Sequence, residues 1–196
     1  MKKHINLFKT IVIMLLINLS VTNIVTSKTI APEYVRFSTE RKVKDKIYFD
    51  GFYLEVEKIQ SDIGVAYCLE VEKDYPTNEN FQLEGEVSEI AKKVLAVGYP
   101  NITIEELKVD NDDDAYVATQ VALWSMIEGY NVSSIRGDNA KVIECIKDIY
   151  SKSLNANADA LMKDVKSYYL NEETQRVALV TDKIVVSPEV IPPVGK

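Results

Sequence analysis

The chain has 196 residues, 23 of them basic and 30 acidic, for a net charge of −7. That length supports one domain with a real core, and that charge argues against nucleic acid or an anionic membrane surface as the partner. A single histidine, His4, and two cysteines, Cys68 and Cys145, leave Ser-His-Asp hydrolases, Cys-His dyads and most zinc sites without the residues they need.

Residues 1–27 read as an export signal. Lys2 and Lys3 give a basic start, IVIMLLI at 11–17 is a short apolar run, and Val25-Thr26-Ser27 supplies small residues for cleavage. The run falls short of the roughly 20 apolar residues that a membrane span needs. Removal of this segment takes Lys2, Lys3 and Lys9 with it, leaving 20 basic against 30 acidic residues and a net charge of −10. The mature chain is expected to be a secreted monomer without membrane insertion, cofactor or bound metal.

Residues 34–75 are strand-like. FYLEVEK at 52–58 alternates apolar and polar side chains, and IGVAYCLEV at 63–71 is a β-rich run following Ser61-Asp62, so the two are expected to pair as a hairpin with Cys68 inside a strand. EVSEIAKKVLAVG at 86–98 is amphipathic and stops at Gly98-Tyr99-Pro100. Asp112, Asp113 and Asp114 open a helix that ends near Gly129. Asp138 or Asn139 opens a third helix through about residue 151, in which Val142, Cys145, Ile146 and Ile149 make a core stripe. ANADALMKDVKSYYL at 156–170 reads as a fourth helix. RVALVTDKIVVS at 176–187 returns to strand composition, and residues 188–196 read as a proline-containing linker. Strands bracketing a helical block predict an α+β fold, a β-sandwich or small barrel carrying a helical subdomain over residues 28–187.

The second helix poses a chemical problem. At 3.6 residues per turn Gln120 falls among Tyr116, Val117, Leu123, Trp124 and Ile127, and a primary amide buried there without partners costs on the order of 1–3 kcal/mol. Gln120 therefore requires a partner or a function.

Tyr67-Cys68 in a strand, followed by Thr119-Gln120-Val121-Ala122-Leu123-Trp124 on a helix, resembles the thioester domain of Gram-positive surface adhesins. Gly98-Tyr99-Pro100 and Ala115-Tyr116-x-Ala118 extend the likeness, which covers roughly residues 34–187. The resemblance implies an internal thioester between the Cys68 sulfur and the Gln120 side-chain carbonyl, with Tyr67, Tyr116, Thr119, Leu123 and Trp124 shielding or supporting it. It implies a bacterial cell-wall or cell-surface location, and covalent attachment to a host cell-surface or matrix protein through attack by a lysine amine. Such a domain acts once, so it is not an enzyme. Many members of the family continue into stalk repeats and a cell-wall sorting signal, so the chain is read as either the N-terminal part of a longer surface protein or a released one. The rival reading is a noncovalent binding module of the same fold held by a Cys68–Cys145 disulfide. Arg136-Gly137-Asp138 is assigned to a helix linker and cap, and Asp110, Asp112 and Asp114 to capping, because the latter lack the glycine and terminal acid of a calcium loop.

Overall fold

The computed structural model describes residues 31–182. The predicted export signal and the exit linker lie outside these residues. The barrel strands are β1 (Tyr34–Tyr48), β2 (Tyr53–Gln60), β3 (Val65–Cys68), β4 (Glu79–Glu86), β5 (Asp164–Tyr169) and β6 (Val177–Thr181). They close in the order β1-β2-β3-β6-β5-β4, every neighbouring pair antiparallel. Alternation along β1 sends Val35, Phe37 and Ile47 inward, where Phe37 meets Phe81 and Tyr168 edge-on at 5.2 and 5.7 Å. Closure pairs every strand along both edges except where two neighbours diverge.

Between β4 and β5 the chain forms the helical block: α1 (Glu89–Val97), α2 (Ile104–Leu107), α3 (Asp112–Glu128) and α4 (Ala140–Asn155). Caps fix their ends. Ser88 accepts from the Ala91 N–H, Asn111 from Asp114, and Asn139 from Lys141 and Val142, while Gly129 closes α3 at φ 73°. The helix α3 packs against α1, α4, β1 and β2 together. Every residue from Ala115 to Ser125 is buried, so this helix is the axis on which barrel and helices meet. Ala115, Ala118 and Ala122 keep its girth small enough for that.

The α+β barrel with a helical subdomain is as the sequence predicts, with three differences. Residues 156–170 are not a helix: a 3-10 turn over Ala158–Ala160 gives way to β5. The strand β4 and the short α2 had no counterpart in the sequence reading. The hairpin of β2 and β3 is real but slight, since the two strands are in register only at Ile59 and Ala66. No helix among the described residues is long and apolar enough to cross a membrane.

Candidate functional site

Cys68 is the last residue of β3, opposite Val177 of β6, and is fully buried. Its own N–H and C=O are taken up by a side chain. The Cys68 N–H donates to Gln120 Oε1 at 2.9 Å, and Gln120 Nε2 donates to the Cys68 carbonyl at 2.8 Å. The carboxamide of α3 thus docks on the end of β3 as another peptide group would, and both its oxygen and its nitrogen are satisfied at zero exposure. The energetic problem posed by Gln120 is solved by Cys68 itself. The acyl carbon of one residue is pinned beside the peptide of the other.

Burial sets the ionisation of the sulfur. The Cys68 thiol is held well above its ordinary value, first by desolvation and then by the nearby Glu57 carboxylate. The group is a neutral thiol at physiological pH. Tyr67 and Tyr116 are likewise buried and pushed up, so no charged form is stable around the pair.

The surrounding hydroxyls are committed to the backbone. Tyr116 accepts from the Ile59 N–H at 3.2 Å and donates to the Ala66 carbonyl at 2.9 Å, standing between β2 and β3. Its ring stacks on Tyr67 at 4.8 Å and 12°. Tyr67 donates to the Tyr99 carbonyl at 2.8 Å, while Thr119 Oγ1 accepts from the Tyr99 N–H and donates to the Ala115 carbonyl. The turn after α1 is therefore clamped to α3 one residue from Gln120. Gly98 permits the approach, because a Cβ there would lie 2.7 Å from Thr119 Cγ2. Leu123 and Trp124 are buried on the next turn, so all seven residues predicted for the site sit in one core, though the hydroxyls brace rather than float.

Tyr75, absent from the sequence reading, closes the remaining side. Its hydroxyl accepts from the Glu57 N–H and donates to the Glu55 carbonyl, and burial holds its ionisation well above the ordinary tyrosine range. It comes from the loop after β3, next to Pro76, where no periodicity marks it.

The other sequence motifs resolve as structural. Cys145 sits on α4 beside Leu107 and Lys108, away from the Gln120 pocket, its thiol pushed up to about 12 by burial. Both cysteines are free, so the alternative Cys68–Cys145 disulfide is not the staple of this fold. Arg136 forms a two-way backbone bridge with Tyr48, and Gly137 lies where a Cβ would press on Ile47 and Ile143. Asp113 is paired with Lys44 and Lys58.

No curated protein matches the chain. Among solved structures it is similar to the Bacillus anthracis TIE protein, with a TM-score of 0.64 at 14% identity over 74% of this chain and 46% of that one. It therefore spans less than half the length of that protein. It is also similar to the thioester domain of the Enterococcus faecium TIE86 protein, with a TM-score of 0.53 at 14% identity over 79% of each chain. A third likeness is to the N-terminal domain of the Streptococcus pyogenes pilus tip adhesin Cpa, with a TM-score of 0.51 at 12% identity over 81% and 98%. At such identities these likenesses speak for the fold. The family model described as TED, thioester domain, matches residues 65–183, from β3 to the end of β6 and well over half of the sequence. The chain belongs to the thioester domain family.

Proposed function

We propose that this chain is the host-attaching domain of a Gram-positive surface adhesin, and that its Cys68 sulfur and Gln120 acyl carbon form an internal thioester. The observation that carries the reading is the reciprocal pair of hydrogen bonds between the Gln120 carboxamide and the Cys68 peptide. The thiol adds to the Gln120 carbonyl, the C–N bond breaks, and the thiol proton leaves with the amide nitrogen as ammonia. As charge builds on Oε1, the Cys68 N–H already faces it, an oxyanion donor that needs no reorganisation. Confinement makes the step unimolecular, which substitutes for an imidazole base and can be worth about 7 kcal/mol or more.

The same geometry serves the second step. A lysine amine on a host protein adds to the Gln120 carbonyl, the C–S bond breaks, and the amine's proton ends on sulfur. The product is an intermolecular amide and a free Cys68 thiol. Until then Tyr67, Tyr116, Leu123 and Trp124 exclude water, which would otherwise hydrolyse the bond. No step regenerates the thioester, so the domain reacts once and is not a catalyst.

Methylamine tests the reading directly. The mature protein should gain one methylamide at Gln120 and expose one new thiol at Cys68, and the Cys68→Ala variant should gain neither. Failure of the unaltered protein to add methylamine would remove the covalent mechanism.

A further inference from the structure

The seam between β2 and β3 is open over most of its length. Beyond the single register pair of Ile59 with Ala66, β2 has no strand partner on that side among the described residues. Strand alternation assigns the backbone groups. Tyr48 turns its N–H and C=O outward to Arg136, so its partner Tyr53 turns its own away from β1, and Glu55, Glu57 and Ile59 follow at every second residue. Two tyrosine hydroxyls stand in for the missing strand: Tyr116 at the Ile59 N–H, and Tyr75 at the Glu57 N–H and the Glu55 carbonyl.

A cleft of about 540 Å³ runs alongside this edge, walled by Phe52, Tyr53, Tyr75, Trp124 and Tyr130, with Glu72 among its lining residues. Cys68 and Gln120 are fully buried behind it: its wall residue Trp124 lies one helical turn beyond Gln120, and its wall residue Tyr75 bonds the same β2 edge that faces the end of β3. Trp124 contributes a second observation. It is 1% exposed, yet its indole N–H has no acceptor among the described residues. The protein's own Lys46 illustrates what these walls accept: its ammonium lies 4.4 Å from the centroid of the Tyr53 ring and 2.6 Å from Glu55.

We propose that the Tyr53–Glu57 edge of β2 docks an extended, lysine-bearing segment of the partner protein, which displaces the Tyr75 hydroxyl, adds as a strand and lays its lysine along the aromatic cleft towards Gln120. The proposal rests on the thioester reading for its chemistry, but not for the docking. An open edge supplies main-chain affinity without demanding a particular sequence, and the aromatic walls select the methylene stem and ammonium of lysine. The net charge of −10 on residues 28–196 favours a basic segment.

Two probes separate docking from chemistry. A blocked heptapeptide of threonines around one central lysine should acylate at least about tenfold faster than Nα-acetyl-lysine amide, and should shift the backbone amide resonances of Tyr53, Glu55 and Glu57. Glu55→Pro removes an N–H that β1 does not use, so the barrel keeps its ladder while the edge loses a donor. This variant should keep its methylamine rate within about twofold and lose the peptide's advantage, whereas Glu55→Ala should retain that advantage. Equal rates for peptide and acetyl-lysine amide, together with unmoved β2 resonances, would overturn the docking edge. Absence of methylamine addition with β2 resonances still moved by the peptide would overturn the thioester and leave the edge standing.

Discussion

Tyr116→Phe deletes one oxygen and isolates the brace that holds β3 against α3. The hydroxyl serves the Ile59 N–H at 3.2 Å and the Ala66 carbonyl at 2.9 Å in a site with no solvent exposure. Each group left unpaired costs about 1–3 kcal/mol, and partial closure of the Ile59–Ala66 pair recovers some of this, so a loss of about 2–4 kcal/mol is expected. The phenyl ring still stacks on Tyr67, which keeps packing out of the comparison. With a urea m-value of about 2 kcal/mol/M, the unfolding midpoint should fall by roughly 1–2 M at unchanged slope. Urea titration followed by Trp124 fluorescence measures it, with Tyr34→Phe, at a residue 57% exposed, as the neutral control. The same preparation should show a smaller fraction of thioester by intact mass, because Ala66 is two residues from Cys68. A midpoint within about 0.3 M of the unaltered protein, with the thioester fraction unchanged, would refute the idea that this hydroxyl holds the seam.

Gly98→Ala places a methyl 2.7 Å from Thr119 Cγ2 and 3.1 Å from the Val94 carbonyl. Overpacking of this kind costs about 1–3 kcal/mol, so thermal unfolding should shift downward and the thioester fraction with it. Burial raises the Cys68 thiol in the folded, thioester-opened domain, so folding there favours the protonated form. That contribution is intact below the thiol's unfolded value of about 8.5 and is lost as pH rises above it, at about 1.4 kcal/mol per pH unit. Methylamine-opened protein should therefore lose stability above about pH 8.5 more steeply than Cys68→Ala does, measured by urea unfolding across that range; parallel curves would contradict the buried thiol. Trp124→Ala should accelerate spontaneous hydrolysis of the thioester in buffer, read by the appearance of titratable thiol over time.

Much of this architecture is written in local patterns. Clear alternation in residues 52–58, sound caps before α3 and α4, and the glycine after α3 each leave a signal that survives without tertiary context. The misread segment shows where such signals fail. Its buried residues Ala158, Leu161, Val165 and Tyr168 fall at spacings of a helix, yet the chain there is a turn followed by a strand. Ser167, small, polar and buried by its bond to Glu84, hides the alternation that would have announced β5. In β4 only Phe81 is deeply buried, and Gly85 at φ 145° breaks the register with β5, so that strand is nearly silent.

Cys68 and Gln120 were singled out by the family resemblance of Tyr67-Cys68 and of the Thr119–Trp124 run, and the structure brings the two residues into hydrogen-bond contact. Their surroundings were less legible. Helical spacing names the apolar neighbours of Gln120 along α3, which is buried on every face from Ala115 to Ser125, but the cleft beside it is lined by Tyr75, Tyr130 and Phe52, which come from loops and element ends. Spacing rules do not reach such positions. They are brought together by tertiary packing, with Tyr130 against the rings of Phe49 and Phe52.

Intact-mass spectrometry of the mature, non-reduced protein bears most directly on the central claim. A mass lower than the sequence by one ammonia, restored to the full value in Cys68→Ala and in Gln120→Ala, is the expected result. A mass equal to the sequence, or lower by two hydrogens, would contradict a bond between Cys68 and Gln120.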